Sequence, residues 1–188
     1  MSITSCLETK RLRLCVVGEE YAPLVLDYYQ RNRHFLQPWE YGYPEEFYTL
    51  VFQSRQLLQE RRAMEEGRML RLWLFKKEDS ECKQTIGTFS FQNIIRGAFL
   101  SCHLGYKLDQ QETGQGYMQE ALKEGISFVF KEYGLHRIEA NIMPSNIRSL
   151  RVAEKLGFYR EGLARDYLKI NGKWEDHVHM VLLNAEVK

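Results

Sequence analysis

The segment Asp109 to Leu122, DQQETGQGYMQEAL, places Gly114 and Gly116 one residue apart just ahead of a stretch with helical character. Glycines there permit a tight turn and the close approach of a ligand. The first N–H groups of the helix that follows lack acceptors and carry the positive end of its dipole. The chemistry of such an arrangement is anion binding; the competing reading is an ordinary turn whose glycines only satisfy backbone geometry. A nucleoside-triphosphate loop requires GxxxxGK followed by Ser or Thr, whereas Gly116 is followed by Tyr117 and Met118. The dinucleotide fingerprint GxGxxG begins at Gly114 and fails at Gln119, where a third glycine would allow close helix–strand contact. The pattern that fits is Q/R-x-x-G-x-G/A, running from Gln111 through Thr113, Gly114 and Gln115 to Gly116.

The elements that must position this loop follow from periodicity. LRLCVV (Leu12 to Val17) reads as a strand, and Glu19 to about Arg33 as a helix. The aromatic stretch HFLQPWEYGYPEEF is punctuated by proline and reads as irregular; Phe47 to Glu66 reads as a helix ending near Gly67. Three strands are expected at Leu70 to Lys76, Thr85 to Asn93 and Phe99 to Leu108, forming an antiparallel meander. After the glycine turn, Met118, Ala121, Leu122, Gly125, Ile126 and Val129 fall at steps of three and four, one apolar helical face. Ile138 to Met143 reads as a strand, Ser145 to Leu156 as a helix closed by Gly157, and Phe158 to Ile170 and His177 to Leu183 as final strands. The expected class is α/β (α+β), a mixed, mostly antiparallel sheet flanked by helices. Trp73, Phe89 and Phe91 belong to its core.

A chain of 188 residues, 44% hydrophobic, suits one domain, here residues 9–184. The formal charge of +1 is interspersed, which gives no bulk attraction for nucleic acid. Cys6, Cys15, Cys82 and Cys102 form no CxxC pair and no zinc-ligand spacing, so they read as reduced thiols. The N-terminus has no signal-peptide core and no segment approaches a membrane span, so a cytoplasmic protein is expected.

The glycine loop, in this order of segments, resembles the GCN5-related N-acetyltransferase (GNAT) family. The strings NRHFLQPWE, FQNIIRGAF, LGYKL, GQGYMQEAL, HRIEANIMPSNIRS, LGFYREG and DYLKINGKWEDHV resemble its ribosomal-protein-alanine N-acetyltransferases of the RimJ type, from about Thr9 to Val178. The resemblance implies acetyl-coenzyme A as cosubstrate, no metal, and a splayed central strand pair. Its pyrophosphate would lie on the loop from Gln111 to Met118, and its amide-bearing arm on free backbone groups near Leu104 and Tyr106. The implied acceptor is a protein N-terminus, in that subfamily the N-terminal alanine of the fifth small-subunit ribosomal protein; association with ribosomal particles is a further implication. Other classes remain open: acetylation of another small amine or antibiotic, or a non-catalytic assembly factor that binds acetyl-coenzyme A.

In that fold an amine attacks the thioester directly. At pH 7 an α-amine costs only about 1 kcal/mol to deprotonate, against roughly 4.6 for a lysine, so a weak base or a water chain suffices. Glu40, in the aromatic loop over the acceptor site, is the candidate base, with a solvated loop carboxylate as its bland reading; His103 and Glu139 are weaker candidates. The tyrosine that many members place four residues before the closing Gly-Phe is here Ala153. Ser149, which shares a helix face with Asn146, takes over as the implied acid for the leaving thiolate, and both residues are implied contacts of the coenzyme. The rival roles are back-bonding within the helix for Ser149 and capping for Asn146. Asn141 would hold a water or the acceptor backbone, or equally satisfy a buried backbone group. Trp39, Tyr41 and Tyr43 would shape an acceptor slot, with core burial the alternative for Trp39.

Overall fold

In the computed structural model, which describes residues 5–187, the chain opens with a hairpin of β1 (Ser5–Glu8) and β2 (Leu12–Val16). Helices α1 (Ala22–Arg31), α2 (Arg33–Leu36) and α3 (Leu50–Glu65) follow. The meander β3 (Leu70–Lys76), β4 (Gly87–Ile95) and β5 (Ser101–Leu108) leads into α4 (Tyr117–Tyr133). Then come β6 (Arg137–Ile142), α5 (Ile147–Lys155), β7 (Tyr159–Ile170) and β8 (Lys173–Leu183). One sheet contains all eight strands in the order β1-β2-β3-β4-β5-β6-β8-β7. Among the described residues β5 and β6 are its one parallel pair.

Strand parity decides what each face of the sheet carries. Leu70, Leu72 and Leu74 of β3, with Phe89 and Phe91 of β4, pack on the apolar face of α4. Trp73 and Phe75 point the other way and pack with Tyr28 and Tyr29 of α1 and Leu57 of α3. With both faces covered, β3 is buried along nearly its whole length. The α4 face is the expected one: Met118, Ala121, Leu122, Gly125, Ile126 and Val129 are all buried. Gly125 is there for contact, since a Cβ would lie 2.5 Å from the Phe89 ring.

Several expectations are corrected. The segment SCLE is a strand; too short to show a period, it forms because β2 offers it an edge. Its register sets Cys6 opposite Cys15, and the two are joined in a disulfide rather than standing as free thiols. Cys82 and Cys102 are free and buried, and burial pushes the Cys102 thiol up to about 12. The helix expected from Glu19 to Arg33 is a 3₁₀ turn followed by α1, and it breaks at buried Asn32. The aromatic stretch after it contains α2 and two 3₁₀ turns, Gln37–Trp39 and Glu45–Tyr48. Helix α3 starts at Leu50, where the Thr49 hydroxyl caps it by accepting from the Phe52 N–H.

Candidate active site

The glycine loop is a bend in front of α4. Gly114 and Gly116 have φ of 81° and 79°, the left-handed region that side chains disfavour. In-helix bonding resumes only at Glu120, whose N–H donates to the Gly116 carbonyl, so the first turn of α4 keeps free donors. Both ends of the bend are anchored. Upstream, Asp109 is held by Asn32 Nδ2 at 3.2 Å and by Arg31 at 3.1 Å, while its Oδ1 accepts the Gln111 N–H at 2.9 Å. Downstream, Glu120 receives the Thr9 hydroxyl at 2.6 Å, the Arg11 N–H at 2.8 Å and Arg11 Nε at 2.7 Å. Burial works against the Glu120 charge, but these hydrogen bonds outweigh it and hold the carboxyl below the usual range. Arg11 also donates to the Gln115 carbonyl at 3.0 Å. The Gln115 amide turns back onto Gln111 O and Glu112, and neither Gln111 nor Gln115 lines the cavity.

Pairing between β5 and β6 runs from Ser101↔Arg137 to His103↔Glu139 and then stops. Beyond that point the two strands diverge, which leaves the Leu104 and Tyr106 backbone on that side without a β6 partner. Through this fork runs a cavity of about 1490 Å³, lined by Thr113, Gly114, Gly116, Tyr117 and Met118 at one end and by α3 and the aromatic loop at the other. That exceeds the roughly 300–1,000 Å³ of a single small-ligand site and has room for two substrates.

On the α5 side, Asn146 is the helix cap, its Oδ1 accepting the Ser149 N–H at 3.2 Å. The Tyr106 hydroxyl donates to the Ser149 carbonyl at 2.7 Å, and burial pushes that phenol up. Ser149 lines the cavity, as do Arg148, Arg151 and Lys155, and no carboxylate pairs with these three cations among the described residues.

The far end is built differently. Trp39, Glu40, Tyr41 and Tyr43 line it, with Trp39 half-buried, Tyr41 exposed and Tyr43 stacked on Phe47 at 3.7 Å. Glu40 is no solvated loop carboxylate. Its Oε1 lies 2.7 Å from Lys107 Nζ and its Oε2 accepts the Tyr43 hydroxyl at 2.7 Å. Burial opposes the Lys107 charge, yet Tyr29, Glu40 and Tyr43 outweigh it and hold the ammonium above the ordinary lysine range. Deeper in, Glu60 of α3 pairs with Arg71 of β3 at 3.2 Å. Glu40 and Glu60 are the carboxylates of the lining, and each meets a cation. His103 lines the cavity with its Nδ1 3.1 Å from Asn93, whereas Glu139 is turned to Arg137 at 2.7 Å.

Sequence reasoning missed Lys107, Glu60, Arg71, Asn32 and Arg11. Of these Lys107 and Arg71 had a signal in strand parity: Gly105 and Lys107 face away from Leu104 and Tyr106, and Arg71 faces away from Leu70 and Leu72.

A sheet that opens between its parallel strands beside a helix N-terminus with free donors is the arrangement the family resemblance implied. The acetyltransferase (GNAT) domain model matches residues 11–159, and the chain belongs to that family. It is 41% identical over 181 residues to the [ribosomal protein uS5]-alanine N-acetyltransferase of Escherichia coli (strain K12), covering 96% of this chain and 91% of that one. It superposes on the crystal structure of ribosomal-protein-S5-alanine acetyltransferase from Vibrio fischeri with a TM-score of 0.91 at 34% identity, over 98% and 99% of the two chains. RimJ of Mycobacterium smegmatis in complex with CoA-disulfide gives a TM-score of 0.89 at 26% identity, over 97% and 88%.

Proposed function

We propose that this chain acetylates the N-terminal α-amine of a ribosomal protein, the alanine terminus of the fifth small-subunit protein, with acetyl-coenzyme A as donor. The observation that carries the acceptor is the match, over nearly the whole of both chains, to the uS5-alanine N-acetyltransferase. The cavity agrees with it. A polyamine or aminoglycoside needs unpaired carboxylates, but Glu40 and Glu60 are both neutralised by Lys107 and Arg71. What the acceptor end offers is amide, hydroxyl and aromatic surface, suited to a peptide terminus.

Bound acetyl-coenzyme A supplies an activated thioester carbonyl. The free N–H groups around Gly114 to Met118 hold its pyrophosphate, with Thr113 and the Gln111 and Gln115 backbone shaping the bend. Arg148, Arg151 and Lys155 add positive charge to the same end, and the Leu104 and Tyr106 backbone takes the amide arm in the fork. Ser149 would donate its hydroxyl proton to the departing sulfur and recover one from water in the same step, while Asn146 caps α5 and fixes its first turn. Glu40 holds Lys107 and Tyr43 in the acceptor wall beside Trp39 and Tyr41, and water removes the amine proton. No helix among the described residues is long and apolar enough to cross a membrane; an acceptor that is itself a ribosomal protein supports a cytoplasmic reaction.

The test is labelled acetyl-coenzyme A with a peptide that begins with alanine and copies the ribosomal acceptor, beside a polyamine and an aminoglycoside. Label on the peptide α-amine is expected, with kcat/KM rising with pH to a plateau near about 8, the α-amine range. Label confined to the small amines, or a rise continuing toward the lysine range, removes the acceptor. No transfer to any of them supports a non-catalytic assembly factor.

A further inference from the structure

The β7–β8 ladder slips beside the fork. Ala164 pairs with His177 and Leu168 with Glu175, so Arg165, Asp166 and Tyr167 stand opposite Asp176 alone. Bulges of this kind re-aim side chains near active sites. Here Asp166 adopts φ of 46° and its N–H donates to Asp176 Oδ1 at 2.9 Å, which holds the bulge in place. The side chain it aims is Tyr167, whose ring meets His177 and His179 at centroid distances of 5.4 and 5.0 Å. Its hydroxyl accepts from Asn141 Nδ2 at 3.0 Å.

Asn141 stands on β6 two residues past the last β5–β6 pair, with its side chain in the cavity lining. With Nδ2 committed to Tyr167, Oδ1 is left shielded from solvent and without any hydrogen-bond partner. A buried acceptor in that condition costs the full desolvation of the oxygen, and the cost is recovered only when a donor arrives. The donor that enters this part of the cavity is the amine.

We propose that Asn141 Oδ1 receives an N–H of the incoming amine at the fork, and that Tyr167, held by the bulge, is the positioning residue that keeps the oxygen facing it. The assignment rests on the acetyl-transfer reading above. An amine that donates one N–H to a fixed carbonyl oxygen has its lone pair free to face the thioester carbon. Because a neutral amide takes no proton, the pair orients the nucleophile and leaves the pH profile unchanged.

The experiment is a double-mutant cycle in the full chain. Tyr167→Phe removes one hydroxyl, and kcat/KM for the acceptor is expected to fall about tenfold with unchanged coenzyme A affinity and pH profile. Asn141→Ala is expected to fall further, and the double variant no further than Asn141→Ala alone. Asp176→Ala, which keeps the hydroxyl but frees the bulge, should reproduce the Tyr167→Phe loss. Wild-type rates in Tyr167→Phe, or a double variant that loses the product of both single effects, overturn the proposal. A melting curve for each variant separates loss of fold from loss of orientation. If wild-type protein acetylates a polyamine and not the peptide, the acceptor reading falls; the same cycle is then run on the polyamine and still decides the role of Tyr167.

Discussion

On the function proposed above, the cofactor end of the cavity is made of backbone and uncompensated cations, whereas the acceptor end is made of side chains whose charges cancel in pairs. At the first, seven residues contiguous in sequence supply the bend and its donors, from Gln111 to Tyr117. At the second, Glu40, Lys107, Glu60 and Arg71 come from the aromatic loop, β5, α3 and β3. The contrast matches what each end must do. A diphosphate is held by donors that need only a backbone shape. A peptide terminus is chosen by shape and hydrogen bonding in a neutral chamber, where an unpaired charge would either repel the amine or trap any cation.

The comparison breaks most readily at the acceptor end. Lys107→Met leaves the Glu40 carboxylate, 11% exposed, without its cation, and removing one partner of a buried pair costs about 3–5 kcal/mol. Denaturant unfolding should show this loss, and Lys107→Met with Glu40→Gln should recover most of it. A variant as stable as wild type would mean that the pair is solvated and the chamber is open.

At the cofactor end the expected loss is in affinity. A Cβ on Gly114 meets nothing within 4 Å, so space is no obstacle to Gly114→Val and only its φ of 81° is. Holding a β-branched residue there costs about 1–3 kcal/mol, so calorimetry should show coenzyme A binding roughly 10- to 100-fold weaker. The acceptor KM should stay unchanged, and a shift in it would couple two ends described here as separate.

The smallest effect is expected between the two. Ser149→Ala should lower kcat by about tenfold, since a thiolate with an ordinary pKa near about 8.5 needs little help to leave. Coenzyme A affinity should be unaltered, because Tyr106 reaches the Ser149 backbone carbonyl and not its hydroxyl. An unchanged kcat removes Ser149 from the reaction.

Local pattern carried far in this chain. The α4 face from Met118 to Val129, the strand at Leu70 to Lys76, the core positions of Trp73, Phe89 and Phe91, and the bend at Gly114 and Gly116 are all periodicity or glycine placement, which neighbouring residues fix among themselves. The β1 strand was hidden because four residues gain their hydrogen bonds only from an edge that β2 provides. The disulfide was hidden because it depends on that register, and spacing alone does not state which residues face each other.

The sequence by itself thus determined the order of the main elements from β2 onward, the glycine bend ahead of α4, and the resemblance to the acetyltransferase family. Tertiary structure alone decided which side chains meet: Glu40 with Lys107, Glu60 with Arg71, Glu120 with Thr9 and Arg11, and Asn141 with Tyr167. The reason is physical. A backbone conformation depends on adjacent residues, but an ion pair or a shared hydrogen bond depends on where distant strands and helices come to rest, as where Tyr167, in the slipped segment of β7, meets Asn141 of β6.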